Sequence, residues 1–219
     1  MREKVIEKIF EEKIIVIVRG MAEEKILPLA EALYKGGIRL MEVTFNLREP
    51  NKHMSTAHAI SSIAKCFGKD MLAGAGTVVT PELVDIACEA GALYIVSPNT
   101  DCEVISRTKE QGLVSIPGAL TASECLAAAN AGADFIKLFP AGELGVGYLK
   151  ALKAPLSHLD FVATGGISDE NIAEFLEIGV AGFGVGGSLV NKEWIAAGEF
   201  DKITDLARCY VEAIGVKRI

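Results

Sequence analysis

The amino-acid sequence predicts an α/β fold: a (β/α)8 TIM barrel with an extra N-terminal helix. Three observations predict it. Eight short β-branched, apolar runs alternate with longer stretches rich in Ala, Glu and Leu. Their spacing of roughly 20 to 30 residues is that of a strand–helix unit. The runs are apolar almost without interruption, as in a parallel sheet buried on both faces.

In chain order, residues 2–11 (REKVIEKIFE) carry a helix pattern that would lie across the bottom of the barrel. Strands follow at IIVIVR (14–19), RLMEVTF (39–45), MLAGAGT (71–77) and LYIVS (93–97). The second half supplies LVSIP (113–117), FIKLF (135–139), FVATG (161–165) and GFGVG (182–186). EEKILPLAEALYK, PELVDIACEA, TASECLAAANA and DENIAEFLEI read as helices between them. The helix ends ALYKGGI, ACEAGAL, AANAGAD and LEIGVAG each place a glycine where a left-handed cap is needed. Helices open after Thr80-Pro81, Thr121 and Ser168, which read as N-cap signals. Eight such units favour a closed barrel over the runner-up, an open doubly wound sheet. No linker or shift of composition divides the chain, so residues 1–219 read as one barrel domain.

Charge narrows the function classes. Twenty-two Lys and Arg against 29 Asp and Glu give a net charge of −7, which repels nucleic acid and acidic lipid. No nucleic-acid or membrane partner is expected. Hydropathy is high on average, but the longest uncharged stretch, Ile178 to Asn191, is interrupted by five glycines and is too short for a spanning helix. The N-terminus lacks the pattern of a signal peptide. Five scattered cysteines without CxxC or zinc spacing read as reduced cytoplasmic thiols. The three histidines form no HxxxH or HExxH pair, so no dedicated metal site is expected.

On a barrel, function belongs at the C-terminal ends of the strands and in the loops beyond them. Lys137 lies in D-F-I-K-L-F-P-A, where alternation puts Phe135, Lys137 and Phe139 on one face and Ile136 and Leu138 on the other. Apolar neighbours lower an amine's pKa, as a Schiff-base nucleophile requires. The alternative is a lysine that snorkels out of the mouth or pairs with an acid. Phe135 and Phe139 read as ordinary barrel-core residues unless Lys137 is catalytic. Glu42 shares a face with Leu40 and Thr44, and a carboxylate there is costly unless paired or used. It reads either as a proton carrier or as an ion-pair partner of Lys137 or Arg19.

Two glycine loops, T164-G-G-I-S and G184-V-G-G-S, follow the seventh and eighth strands, where barrel enzymes commonly bind phosphate through backbone N–H groups and a helix N-terminus. Arg19, ending the first strand, could clamp a carboxylate or be an ordinary surface arginine. Thr77, ending G-A-G-T, offers a hydroxyl.

These motifs resemble the 2-keto-3-deoxy-6-phosphogluconate (KDPG) / 4-hydroxy-2-oxoglutarate (KHG) aldolase family of class I Schiff-base aldolases. The match runs over nearly the whole chain: V-I-V-R, G-G-I-R-L-M-E-V-T, G-A-G-T-V, I-V-S-P, I-P-G, F-I-K-L-F-P-A, T-G-G-I-S, V-G-G-S-L-V and F-D-K-I-T-D-L-A-R. The resemblance implies Lys137 as the imine-forming lysine, Glu42 as general acid/base and Thr77 in the pyruvyl site. It implies Gly165, Gly166, Gly187 and Ser188 as the phosphate-binding residues. Many members place an arginine four residues beyond the glutamate; here that position is Asn46. Other members instead place an arginine at the end of the first strand, which is Arg19 here, so the resemblance assigns the carboxylate to Arg19, with Arg48 as a substitute. The implied reaction yields pyruvate with glyceraldehyde 3-phosphate, or with glyoxylate, in a homotrimer. R-G, F-N and S-P-N are also found in relatives acting on 2-keto-3-deoxy-6-phosphogalactonate. Outside the aldolases, a phosphosugar isomerase or epimerase, or a non-catalytic phosphometabolite-binding barrel, would share the glycine loops without an imine.

Overall fold

The computed structural model describes residues 1–215. Helix α1 (Arg2–Glu12) leads into β1 (Ile14–Val18), α2 (Glu23–Lys35) and β2 (Leu40–Thr44). After a 3-10 turn (Pro50–Lys52) come α3 (His53–Phe67), β3 (Leu72–Gly76), α4 (Pro81–Glu89), β4 (Tyr94–Val96) and α5 (Cys102–Glu110). The chain continues through β5 (Val114–Ile116), β6 (Gly118–Ala119), α6 (Ala122–Asn130), β7 (Ile136–Leu138) and α7 (Ala141–Lys153). It ends with β8 (Phe161–Thr164), α8 (Ile172–Glu177), β9 (Gly182–Val185), α9 (Lys192–Ala197) and α10 (Phe200–Ala213). Among the described residues no helix is long and apolar enough to cross a membrane.

The strands form one parallel sheet in the order β5-β4-β3-β2-β1-β9-β8-β7-β6. Its two ends are consecutive in the chain. Pro117 has no N–H to give and splits what the sequence reads as one fifth strand into β5 and β6. Phe135 and Lys137 donate their N–H groups to the carbonyls of Ser115 and Pro117 at 3.2 and 2.9 Å, which brings the sheet round into a nearly closed barrel. Nine strand segments thus make the eight predicted staves.

Alternation sorts the side chains as expected. Met41, Val43, Ile136 and Leu138 face the helices, whereas Leu40 and Phe135 point inward. Inside, Ile15, Leu40, Leu72, Val114, Phe135 and Val162 build an apolar floor that Val5 and Ile9 of α1 seal from below. The carboxylate of Asp134 pins that helix: it accepts from Arg2, from Lys109 at 2.8 Å and from the Ser115 N–H at 2.9 Å. The four expected cap glycines, Gly37, Gly91, Gly132 and Gly179, all have positive φ. Thr80 and Thr121 cap α4 and α6, the latter in a reciprocal capping box with Glu124.

Two readings are corrected. Ser168 caps no helix, because residues 168–171 form a tight turn and α8 starts at Ile172. The Asn171 side chain holds that turn, accepting from the Ser168 N–H at 2.9 Å and donating to the Gly166 carbonyl at 2.7 Å. Phe139 is no core residue: it lies past the end of β7, is 48% exposed, and joins Pro140 through a cis peptide.

Candidate active site

The upper barrel holds a cavity of about 640 Å³. Arg19, Glu42, Thr77, Lys137, Gly165, Gly166, Gly187 and Ser188 all line it. They come from six different staves and the loops beyond them, so strand register gathers residues spread over 170 positions of chain.

Lys137 is central to β7 and 9% exposed; Glu42 is central to β2 and 2% exposed. Burial lowers the amine's affinity for its proton; the Glu42 charge opposes that shift and the Arg19 charge adds to it. Burial also raises the Glu42 carboxyl above its ordinary value, against the pull of Lys137 and Arg19. Each group is thereby moved toward its neutral form. Among the described residues the two are not in salt-bridge contact, so the ion-pair reading of Glu42 does not describe this geometry. Bare backbone makes room for the carboxylate: a β-carbon on Gly76 would run into Glu42.

Arg19 lies just past β1 and donates from Nη2 to the Thr77 hydroxyl at 3.2 Å. Thr77 holds a left-handed φ of 58°, which is unfavourable for a β-branched residue. Such strain is kept where surrounding structure demands it, and it clusters at functional sites. Asn46 and Arg48 line an adjoining pocket of about 670 Å³ instead, which shares Arg19 and Thr77 with the first. Asn46 is engaged within its own loop, donating to Glu49 at 2.6 Å and accepting from the Arg48 N–H at 3.1 Å.

The two glycine loops face the same cavity and are braced together by Ser188, whose hydroxyl donates to the Ile167 carbonyl at 2.7 Å. Gly165 and Gly166 both have positive φ. A β-carbon on Gly165 would sit 2.8 Å from the Phe139 ring. No backbone hydrogen bond among the described residues takes up the N–H of Gly166, Gly187 or Ser188. The expected helix N-terminus does not follow directly on either loop, since α8 and α9 begin at Ile172 and Lys192. An anion there would be met by loop amides.

Sequence reasoning did not count Phe139, Pro98 or Thr164 among the site residues, yet they also line the cavity. The Lys137 Nζ lies 5.4 Å from the Phe139 ring centroid. Pro98 was visible only within the I-V-S-P and S-P-N pieces. Thr164 is buried, and its hydroxyl fills space that a β-carbon on Gly184 would need.

The family model for KDPG and KHG aldolase matches residues 5–206. A 2-dehydro-3-deoxy-6-phosphogalactonate aldolase of Escherichia coli strain K12 is 35% identical over 92% of this chain and 96% of its own. A 2-dehydro-3-deoxy-phosphogluconate aldolase of Treponema pallidum strain Nichols is 38% identical over 93% and 94%. Among solved structures, a KDPG aldolase from Legionella pneumophila, captured with pyruvate at low pH as a covalent carbinolamine intermediate, is similar with a TM-score of 0.84. It is 33% identical, and the match covers 94% of this chain and 97% of that one.

Proposed function

The chain belongs to the KDPG and KHG aldolase family, and from that premise we propose that it splits 2-keto-3-deoxy-6-phosphohexonates through a Schiff base on Lys137. The observation that carries this reading is the pairing of a buried amine and a buried carboxyl on one cavity, each shifted toward its neutral form.

The Lys137 amine attacks the C2 ketone to give a carbinolamine, whose hydroxyl takes a proton from the Glu42 carboxyl and leaves as water, forming a protonated imine. The Glu42 carboxylate takes the proton of the C4 hydroxyl. The C3–C4 bonding electrons then flow toward the iminium nitrogen, releasing the aldehyde and leaving an enamine. Protonation of C3 and hydrolysis return the amine and free pyruvate. The iminium is the electron sink, so this route needs no metal or organic cofactor. Arg19, fixed by Thr77, would hold the substrate carboxylate, and the loop amides of Gly165, Gly166, Gly187 and Ser188 would hold the phosphate. Gripping both ends sets C2 against the amine. The products are pyruvate and glyceraldehyde 3-phosphate. 4-Hydroxy-2-oxoglutarate would give pyruvate and glyoxylate at the same centre.

Borohydride reduction with pyruvate, followed by peptide mass mapping, tests this. A pyruvyl adduct on Lys137 is expected, and Lys137→Ala should abolish it. An adduct on another lysine refutes the assignment. Absence of any adduct moves the function to an isomerase, an epimerase or a binding barrel. Turnover of the phosphogluconate- and phosphogalactonate-derived substrates, compared side by side, assigns the C4 epimer.

The same reading takes residues 1–219 as one barrel domain. It also takes the protein as a homotrimer, with apolar side chains such as Met54 and Leu126 exposed for subunit contact. Light scattering at three times 23.3 kDa would support it. The five cysteines are unpaired, which suits a reducing cytoplasm.

A further inference from the structure

We propose that Ile17 determines specificity beyond C4: it is the apolar wall on which C5 and C6 of a phosphohexonate pack, and it disfavours 4-hydroxy-2-oxoglutarate, whose C5 is a carboxylate. The inference rests on the chemistry proposed for Lys137 and Glu42.

Strand order supplies the geometry. β1 lies between β2, which carries Glu42, and β9, which leads into the loop of Gly187 and Ser188. Val16 and Val18 face the helices, and Ile15 belongs to the apolar floor. Alternation therefore turns Ile17 inward, one level above Ile15. There it is in register with Glu42 and lines the cavity. It is the one residue of β1 that is not buried. On its other side the Ile17 side chain lies beside bare backbone. A β-carbon on Gly184 would sit 3.1 Å from Ile17 Cδ1, and one on Gly186 would sit 3.9 Å from Ile17 Cβ. Phe183 and Val185 face the helices, so β9 turns glycine inward at this level. The Thr164 hydroxyl fills the space beside Gly184 from β8, the Lys137 side. On the Glu42 side the wall leading up to Gly187 is thus Ile17 and glycine backbone.

The two substrate classes part company at C5. In a 2-keto-3-deoxy-6-phosphohexonate the C4 hydroxyl meets Glu42 and the phosphate meets the loop amides. C5 and C6 cross the interval between them, and their C–H faces pack on Ile17 with a gain from burial. In 4-hydroxy-2-oxoglutarate the group joined to C4 is itself a carboxylate. With C4 held at Glu42, that charge lies against Ile17 and short of the loop amides. An isoleucine side chain offers no donor, and a charge taken from water with nothing to receive it is costly. Arg19, the next inward position, reaches the other way, to Thr77 beyond β3. The Ser188 hydroxyl is committed to the Ile167 carbonyl.

The test compares kcat/KM for 4-hydroxy-2-oxoglutarate with that for the faster of the phosphogluconate- and phosphogalactonate-derived substrates, each followed as pyruvate release. It is run on the parent, Ile17→Val and Ile17→Thr. Valine and threonine share one branched shape that suits a strand, so their difference isolates the hydroxyl. The ratio in Ile17→Thr should move about tenfold toward 4-hydroxy-2-oxoglutarate relative to Ile17→Val, the scale of one hydrogen bond to a charged group. Equal ratios in the two variants, with borohydride still trapping pyruvate on Lys137, overturn the role of Ile17 and leave the aldolase reading intact. A parent that prefers 4-hydroxy-2-oxoglutarate overturns it too. A parent that neither traps pyruvate nor releases it from any of these substrates overturns the reading of Lys137 and Glu42, and this inference with it. Ile17→Ala and Ile17→Ser, which again differ by one hydroxyl, replace the pair should threonine fail to fold.

Discussion

The carboxylate of Glu42 occupies the space that a side chain at Gly76 would fill. A β-carbon built there would lie 2.7 Å from the Glu42 Cγ and nearer still to Oε1. The backbone at residue 76 is ordinary extended strand, and the three atoms nearest to an added β-carbon all belong to the glutamate. Gly76→Ala should therefore fold while displacing the carboxylate. Turnover is expected to fall by about 100-fold, as for a misplaced reacting group, with borohydride trapping of pyruvate on Lys137 retained. Unchanged turnover would mean that the position of Glu42 does not limit the reaction.

Burial of Glu42 and Lys137 sets opposite pH slopes on stability. Between 4.5 and its raised value, native Glu42 binds more proton than the unfolded chain does. Its contribution to stability is lost as pH rises through that window. Between its lowered value and 10.5, native Lys137 binds less proton than the unfolded chain, so stability rises with pH there. The double variant Glu42→Gln/Lys137→Met should flatten both slopes. Urea titrations across a pH series would show this. Slopes equal to those of the parent would assign the profile to other groups.

Thr77 should show a trade between stability and binding. Its left-handed backbone costs about 1–3 kcal/mol, and a glycine there loses about 0.5–1 kcal/mol to unfolded-state entropy. Thr77→Gly is expected to raise stability by about 1 kcal/mol on that balance. It also removes the hydroxyl that accepts from Arg19, so KM for the keto acid should rise. Chemical denaturation and steady-state kinetics on one preparation decide it; a loss of stability would mean that the strain estimate is wrong.

Gly187 separates phosphate binding from folding. A β-carbon there meets nothing within 4 Å, and its φ is not left-handed. Gly187→Ala should leave the melting temperature unchanged but place a methyl group in the cavity. Affinity for the phosphorylated substrate should drop by about tenfold, the scale of one lost neutral hydrogen bond. Turnover of 4-hydroxy-2-oxoglutarate, which carries no phosphate, should hold. Equal losses on both substrates would place the phosphate elsewhere.

The staves and the two buried charges were legible because their signals are local. Glu42 and Lys137 stand out as single charges in apolar runs, and alternation alone turns them inward. What escaped depends on neighbours far away in sequence. Pro117 interrupts a stave only because its missing N–H falls where the ladder would continue. Ser168 looked like a helix cap, but Asn171 competes for its amide and holds a turn in place. Phe139 continues the alternation of β7 on paper, whereas the strand has already ended. Ile17 was one apolar residue among many until register set it beside Glu42.

With Val5 and Ile9 closing the floor, the cavity is shut at that end among the described residues. On the proposed chemistry, substrate, both products and the water that hydrolyses the imine all pass by way of the opposite end. The aldehyde must depart over a pyruvyl group still tethered to Lys137. Covalent attachment, rather than a moving gate, then decides which product leaves first.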